Sequence, residues 1–247
     1  MPAVQLFYTC LVNEFAPEVG FAVARVLERL GYDVRVPEGL TCCGQPAFNA
    51  GFHDEARAAA RQTLSALEAT DGPIVIPSGS CGDMLIHQYD ALFADDGDHG
   101  PWRASAQRVA ARCREFSAFV AGHDVTALGL ACTTPTRVLY HPSCHLLRGL
   151  GVRDEPRALI EAVQGTTLAD GAAGDDCCGF GGLFSVKHGD ISTRMLERKL
   201  EDVAASGADR LVSCDLGCLL HLGGGLHRRR SEVKVQHLSE LLDEALP

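Results

Sequence analysis

Asp176-Cys177-Cys178-Gly179-Phe180-Gly181-Gly182 sets two adjacent thiols in front of a glycine-rich turn, and the reading of the chain starts there. In a strand, neighbouring side chains point to opposite faces, so two touching cysteines serve one site only where the backbone bends. Gly179, Gly181 and Gly182 permit that bend. They also allow positive φ and let backbone N–H groups approach a bulky, negatively charged ligand such as an inorganic cluster. The core of the motif occurs a second time, as Cys42-Cys43-Gly44.

The surroundings of the two motifs repeat as well. A strand over residues 4–9 leads to Cys10, a short strand over 34–36 precedes Cys42, and an apolar strand over 73–76 ends at Pro77-Ser78-Gly79-Ser80-Cys81. In the second half a strand over 137–141 reaches Cys144, and a long helix over 191–205 follows Cys177-Cys178-Gly179. A strand over 210–212 then delivers Cys214-Asp215-Leu216-Gly217-Cys218. Between Cys10 and Cys42 lie 31 residues, and between Cys144 and Cys177 lie 32. Further helices are expected over 53–68, 83–93 and 104–121, and a closing strand over 233–235 and helix over 237–245 complete the second copy. There Leu238-Ser239-Glu240 echoes Phe116-Ser117-Ala118. Self-similarity of this kind marks a duplicated unit. Strands alternating with helices predict an α/β protein of two pseudo-symmetric, Rossmann-like lobes, 1–125 and 136–247, each a small parallel sheet flanked by helices. Ligands of such sheets bind beyond the carboxyl ends of the strands, so each half should gather four thiols.

The bulk numbers narrow the class. With 46% hydrophobic and 22% charged residues, the chain of 247 residues is an ordinary globular one. Its net charge of −10 argues against a nucleic-acid partner and against anionic lipid; Arg228-Arg229-Arg230 reads as a solvated helix end. No apolar run approaches the roughly 18 residues of a membrane span. Met1-Pro2-Ala3 runs straight into the first strand, so a cytoplasmic protein is expected. In that reducing setting the eleven cysteines read as metal ligands or catalytic thiols rather than disulfides. The acidic stretch Asp95-Asp96-Gly97-Asp98 is the candidate mobile loop.

Four thiolates from three loops suit a soft metal centre, zinc or an iron–sulfur cluster. The outer cysteines lie more than 30 residues from the central pair, unlike compact zinc knuckles, which favours a clamp around a larger object. Two other readings stand beside it: a zinc-stabilised scaffold for partner binding, and a metal-free thiol–disulfide oxidoreductase using a vicinal pair. Cys113 and Cys132 have no counterpart in the other half and read as structural, whereas Cys214 is a ligand or a neighbour of the site. Ser78 and Asp215 either ligate through oxygen or bond loop amides. His141, His145 and His221 lie near the second motif as supports of the ligands, proton carriers or ligands themselves; Arg148 and Lys187 could attract a carboxylate or an acidic partner. No Ser-His-Asp arrangement, paired carboxylates or Gly-x-Gly-x-x-Gly loop after a strand stands out.

The pattern Cys10, Cys42-Cys43-Gly44, Ser78-x-x-Cys81, repeated as Cys144, Cys177-Cys178-Gly179, Asp215-x-x-Cys218, resembles the tandem cysteine-rich CCG domains. The cysteine-rich subunit of heterodisulfide reductase and the iron–sulfur subunit of glycolate oxidase share that pattern. The segments from His141 to Gly151 and from Cys177 to Lys187 bring the chain nearest to the lactate utilization protein A family. The resemblance implies an iron–sulfur cluster, [4Fe-4S], in each lobe, held by Cys10, Cys42, Cys43 and Cys81 and by Cys144, Cys177, Cys178 and Cys218. It implies electron transfer in the oxidation of L-lactate to pyruvate, alongside a ferredoxin-type iron–sulfur subunit and a third subunit. In heterodisulfide reductase the pattern ends in Cys-x-x-Cys, and five thiolates hold a noncubane cluster. Here Ser78 and Asp215 take the first of those positions. Four cysteines per half remain, enough for a cubane cluster or for zinc, and a fifth donor would come from Ser78, Asp215 or Cys214.

Overall fold

The computed structural model describes residues 1–96, 100–172 and 174–247. Each half builds one four-stranded parallel sheet. The first contains β1 (Ala3–Leu6), β2 (Asp33–Arg35), β3 (Ile74–Ile76) and β4 (Cys113–Glu115) in the order β2-β1-β3-β4. The second contains β5 (Ala131–Tyr140), β6 (Gln164–Ala169), β7 (Arg210–Ser213) and β8 (Lys234–His237) in the order β6-β5-β7-β8. The two orders are the same, and so is the pairing of the central strands: Leu6 lies opposite Val75 and Tyr140 opposite Val212. Central strands of a parallel sheet are covered on both faces, hence the unbroken apolar run of β3.

Helix His53–Glu68 spans the expected residues and buries Ala56, Ala60, Leu64 and Leu67 at helical spacing. Its counterpart Gly189–Ser206 buries Leu196, Leu200 and Val203, and stops where Gly207 adopts φ +64. Two edge strands break the expected pattern. Residues 104–121, read as one helix, are a helix Pro101–Arg112, strand β4 and a helix Phe116–Ala121. Cys113 and Glu115 point inward and Arg114 outward, an alternation too short to register against the helical residues around it. Cys113 thus sits in a strand, inside the first lobe's core. β6, with the sequence QGTTLA, is half-exposed and carries little apolar pattern. Residues 83–93 are divided between the ends of short helices and a π-helical turn, Met84–Gln88. Of the acidic stretch, Asp95 lies in a 3₁₀ turn, and Gly97 and Asp98 lie outside the described residues.

The lobes share one apolar core. Val4, Leu6, Val26 and Phe116 of the first pack in the same cluster as Val138, Tyr140, Val212 and Leu241 of the second. Helix Pro17–Arg29 lies against helix Leu238–Glu244, an arrangement that brings Arg25 within 2.5 Å of Asp243 at the solvent edge. This fusion turns the carboxyl ends of both sheets toward one cleft.

Candidate metal centre

Three adjacent strands of each sheet deliver the cysteines. Cys10 follows β1 at the start of helix Cys10–Phe15, which Thr9 caps by accepting from Val12 N at 3.3 Å. Cys42 and Cys43 follow β2, and Cys81 follows β3 within helix Gly79–Asp83. In the second lobe Cys144 follows β5, Cys177 and Cys178 follow β6, and Cys218 lies in helix Leu216–Arg228 after β7. The bend required by touching cysteines is made at Gly44, φ +84, and at Gly179, φ +91. A Cβ at Gly179 would stand 2.7 Å from the carbonyl oxygen of Ser192, so the turn also depends on close approach to a helix backbone.

The four sulfurs of each lobe form a chain with the same connections. Cys42 accepts from the thiols of Cys10 and Cys43, and Gly44 N donates to it at 3.4 Å, which together hold its pKa down to about 2. Cys177 is held down to about 2 by Cys144 and Cys178, with Gly179 N donating at 3.4 Å. The donors are shifted the other way: hydrogen bonding to Cys42 raises Cys10 and Cys43, and hydrogen bonding to Cys177 raises Cys144 and Cys178. Cys43 lies 3.3 Å from Cys81, and Cys178 lies 3.3 Å from Cys218. One sulfur of each set, that of Cys42 or Cys177, is held as thiolate by its neighbours, and four sulfurs converging from three loops are a donor set for a soft cation. The residues present therefore fit a cysteine-bound metal or iron–sulfur group in each lobe.

Both sets line a single cavity of about 290 Å³ between the lobes, together with Leu11, Pro46, Phe180 and Leu216. The sequence predicts a four-thiol pocket in each half; it does not show that the two open on one cleft. Ser78 and Asp215 also line it, buried to 4% and 5% exposure. Each caps the helix that carries its lobe's last cysteine: Ser78 Oγ accepts from Cys81 N at 3.2 Å, and Asp215 Oδ1 from Gly217 N at 3.1 Å. Across the cleft Ser78 Oγ donates to Asp215 Oδ2 at 3.1 Å, and Ser80 N donates to the same oxygen at 2.9 Å. The oxygens of both are thus occupied within the protein. Ser-x-x-Cys and Asp-x-x-Cys at helix starts carried the capping signal; the contact between them did not show in the sequence.

The other candidates separate. Cys214 turns away from the cleft into the shared core, where the Tyr140 hydroxyl donates to its Sγ across 3.8 Å and burial pushes its thiol well up. His145 lines the cleft and pairs through Nδ1 with Asp83 Oδ2 at 2.8 Å, a bond between lobes. His141 is buried beside Cys178 and Cys218, one ring nitrogen and the two sulfurs lying within 4.8 Å of one another. Burial and then the charge of Lys199 lower its pKa to about 3, leaving the imidazole neutral. His221 Nε2 stands 3.4 Å from Ser192 Oγ, off the cleft. Arg148 donates to the carbonyl of Asp175 at 3.0 Å, and Lys187 is exposed beyond the wall. Cys132 packs against the shared core.

Comparison with known proteins places the geometry in a family. The CCG cysteine-rich domain matches residues 4–86 and 138–223. Lactate utilization protein A of Exiguobacterium sp. is 40% identical over 248 residues, covering 100% of this chain and 99% of the relative. The protein of that name from Shouchella clausii is 42% identical over 241 residues, covering 97% and 98%. Lactate utilization protein A 2 of Bacillus cereus is 38% identical over 246 residues, covering 98% of each. Among solved structures, an aspartate racemase homologue from Pyrococcus horikoshii aligns over 98% of this chain and 95% of its own at 11% identity and a TM-score of 0.32, a likeness that carries no argument.

Proposed function

The chain belongs to the lactate utilization protein A family of tandem CCG cysteine-rich proteins, and from that premise we propose that it is the iron–sulfur electron-transfer subunit of a complex that oxidises L-lactate or a close 2-hydroxy acid. The observation that carries the proposal is the doubled donor set: two chains of four sulfurs, identically connected, facing one cleft. Cys10, Cys42, Cys43 and Cys81 would hold one [4Fe-4S] cluster, and Cys144, Cys177, Cys178 and Cys218 the other. Such clusters supply one-electron carriers tuned by charge, hydrogen bonds and exposure. The Gly44, Gly179 and Phe180 amides, each within 3.5 Å of a ligand sulfur, stabilise charge on the sulfurs. Leu11, Pro46, Phe180 and Leu216 would give that charge an apolar lining. The hydroxy acid would be oxidised on a partner, with electrons passing through a ferredoxin-type iron–sulfur subunit and a third subunit of the complex. We place the assembly in the cytoplasm; no helix among the described residues is long and apolar enough to cross a membrane.

Anaerobic purification tests the reading. About four irons and four sulfides per occupied lobe, with broad absorption near 400 nm, are expected of such clusters. Colourless protein holding stoichiometric zinc would overturn it in favour of a scaffold. Cys43→Ser separates the two further: an electron carrier keeps its partners and loses electron transfer, and a scaffold loses stability and partners together.

A further inference from the structure

The lobes match at the cysteines and differ beside them. Three residues ahead of Cys144 stands His141, and three residues ahead of Cys10 stands Phe7. Both are buried, to 3% and 0% exposure. Phe7 belongs to the apolar cluster that contains Cys43 and Cys81. In the second lobe an imidazole takes that place, with a ring nitrogen within 4.8 Å of both Cys178 Sγ and Cys218 Sγ. Neither nitrogen of His141 has a hydrogen-bond partner among the described residues. Leaving a buried polar group unsatisfied is destabilising, and a phenyl ring at this position avoids that cost in the other lobe. Among the described residues His141 thus sets a ring nitrogen beside two sulfurs, with no hydrogen-bond partner for either nitrogen.

Imidazole nitrogen and thiolate sulfur together are the donors of zinc and iron sites, with metal–ligand distances of roughly 2.0–2.3 Å that bring neighbouring donors within the observed spread. The carboxylate of Asp215, which stands where a fifth thiolate would complete the set, is committed to Ser78, Ser80 and Gly217. Behind His141 lies a cavity of about 200 Å³, lined also by Tyr140, Lys199 and Asp202.

We propose that His141 ligates the metal centre of the second lobe, so that this centre has four sulfurs and one nitrogen and the first lobe's centre has sulfurs alone. The inference rests on the iron–sulfur reading above. It makes the two centres unequal: one has a neutral fifth donor, the other a phenyl ring.

Pulsed EPR on anaerobically prepared, dithionite-reduced full-length protein tests it without reference to activity. Labelling histidine with ¹⁵N should convert a strong ¹⁴N hyperfine coupling on one of two cluster signals to the ¹⁵N pattern. His141→Phe, which copies the first lobe, should abolish that coupling and leave the other signal unchanged. Protein with both lobes loaded and no histidine nitrogen coupling, or coupling that survives His141→Phe, overturns the ligation and leaves the iron–sulfur reading standing. If His141→Phe does not fold, His141→Gln takes its place, and His145→Gln should leave the coupling intact. Absence of iron and sulfide from both lobes overturns the two together.

Discussion

Ser78 donates a 3.1 Å hydrogen bond to Asp215, and the two occupy the same place in the two halves of the chain. Each caps a helix, each is buried, and the bond ties one lobe to the other. Asp215→Ala strips partners from Ser78 Oγ, Ser80 N and Gly217 N. A loss of about 3 kcal/mol is expected, since bonds to charged groups contribute roughly 1.5–3 kcal/mol each and are not additive. Ser78→Ala should lose about 1–2 kcal/mol as a cap. In a double-mutant cycle by chemical denaturation the pair should couple by about 1–2 kcal/mol; simple additivity would contradict the bond.

Gly79 is one place where the lobes meet with no room for a side chain. A Cβ there would meet Leu146 Cβ at 2.6 Å and Ser143 Oγ at 2.8 Å. Gly79→Ala should lose about 2–3 kcal/mol or force the lobes apart. Gly224, mid-helix with nothing within 4 Å of a Cβ, is the control: Gly224→Ala should be neutral or stabilise by up to about 1 kcal/mol. Thermal melts of the two variants measured side by side check this.

Glu115 and His237 end matching strands, cap matching helices and lie buried in the fused structure. Burial raises Glu115 from an ordinary 4.5 to about 7, against the opposing hydrogen bond from Ser117, and burial lowers His237 from 6.5 to about 4. The folded state therefore holds the extra proton at Glu115, whose contribution is full below pH 4.5 and is lost as pH rises through 7. His237 contributes fully above pH 6.5, and its contribution is lost as pH falls through 4. Each is worth about 3 kcal/mol across its window, so the two offset one another in the wild type. Glu115→Gln should unmask His237: the stability difference between variant and wild type should change by about 3 kcal/mol between pH 4.5 and 7, with the variant losing ground toward acid. A difference curve flat in pH would contradict the assignment.

Cys214 and Cys218 lie four residues apart with opposite roles. Cys214→Ala should keep the full iron content and lose about 1–2 kcal/mol of core packing. Cys218→Ser, which alters the sulfur 3.3 Å from Cys178, should empty the second lobe and halve the iron. Iron and sulfide determinations on both variants separate them.

The sequence carried the two sheets and the donor set because each rests on a pattern that repeats: an apolar strand, a cysteine within a few residues, and a glycine that frees a turn. The helix expected over 191–205 was legible as part of the repeat, and the structure buries its Leu196, Leu200 and Val203. β4 stayed hidden because three residues of alternation, Cys113 to Glu115, cannot outweigh the helical residues around them. β6 stayed hidden because an edge strand is stabilised by the backbone ladder more than by apolar side chains. The shared cleft was out of reach for another reason. Whether two lobes turn their sites together depends on surfaces such as Val4, Phe116, Val138 and Leu241 meeting across the fold, and no local pattern states which lobe an apolar residue will touch.

The bond between Ser78 and Asp215 also says something about having both lobes in one polypeptide. In a symmetric homodimer of a single lobe, a residue on the two-fold axis faces its own copy. Two aspartates there would crowd buried like charges, and two serines would lack the anion that gathers Ser80 N and Gly217 N. Covalent fusion releases the two positions from identity, so that one becomes the donor and the other the acceptor. The same freedom lets a phenyl ring stand at Phe7 and an imidazole at His141. A duplicated chain can in this way grow a left and a right side at a site that a homodimer must keep the same on both.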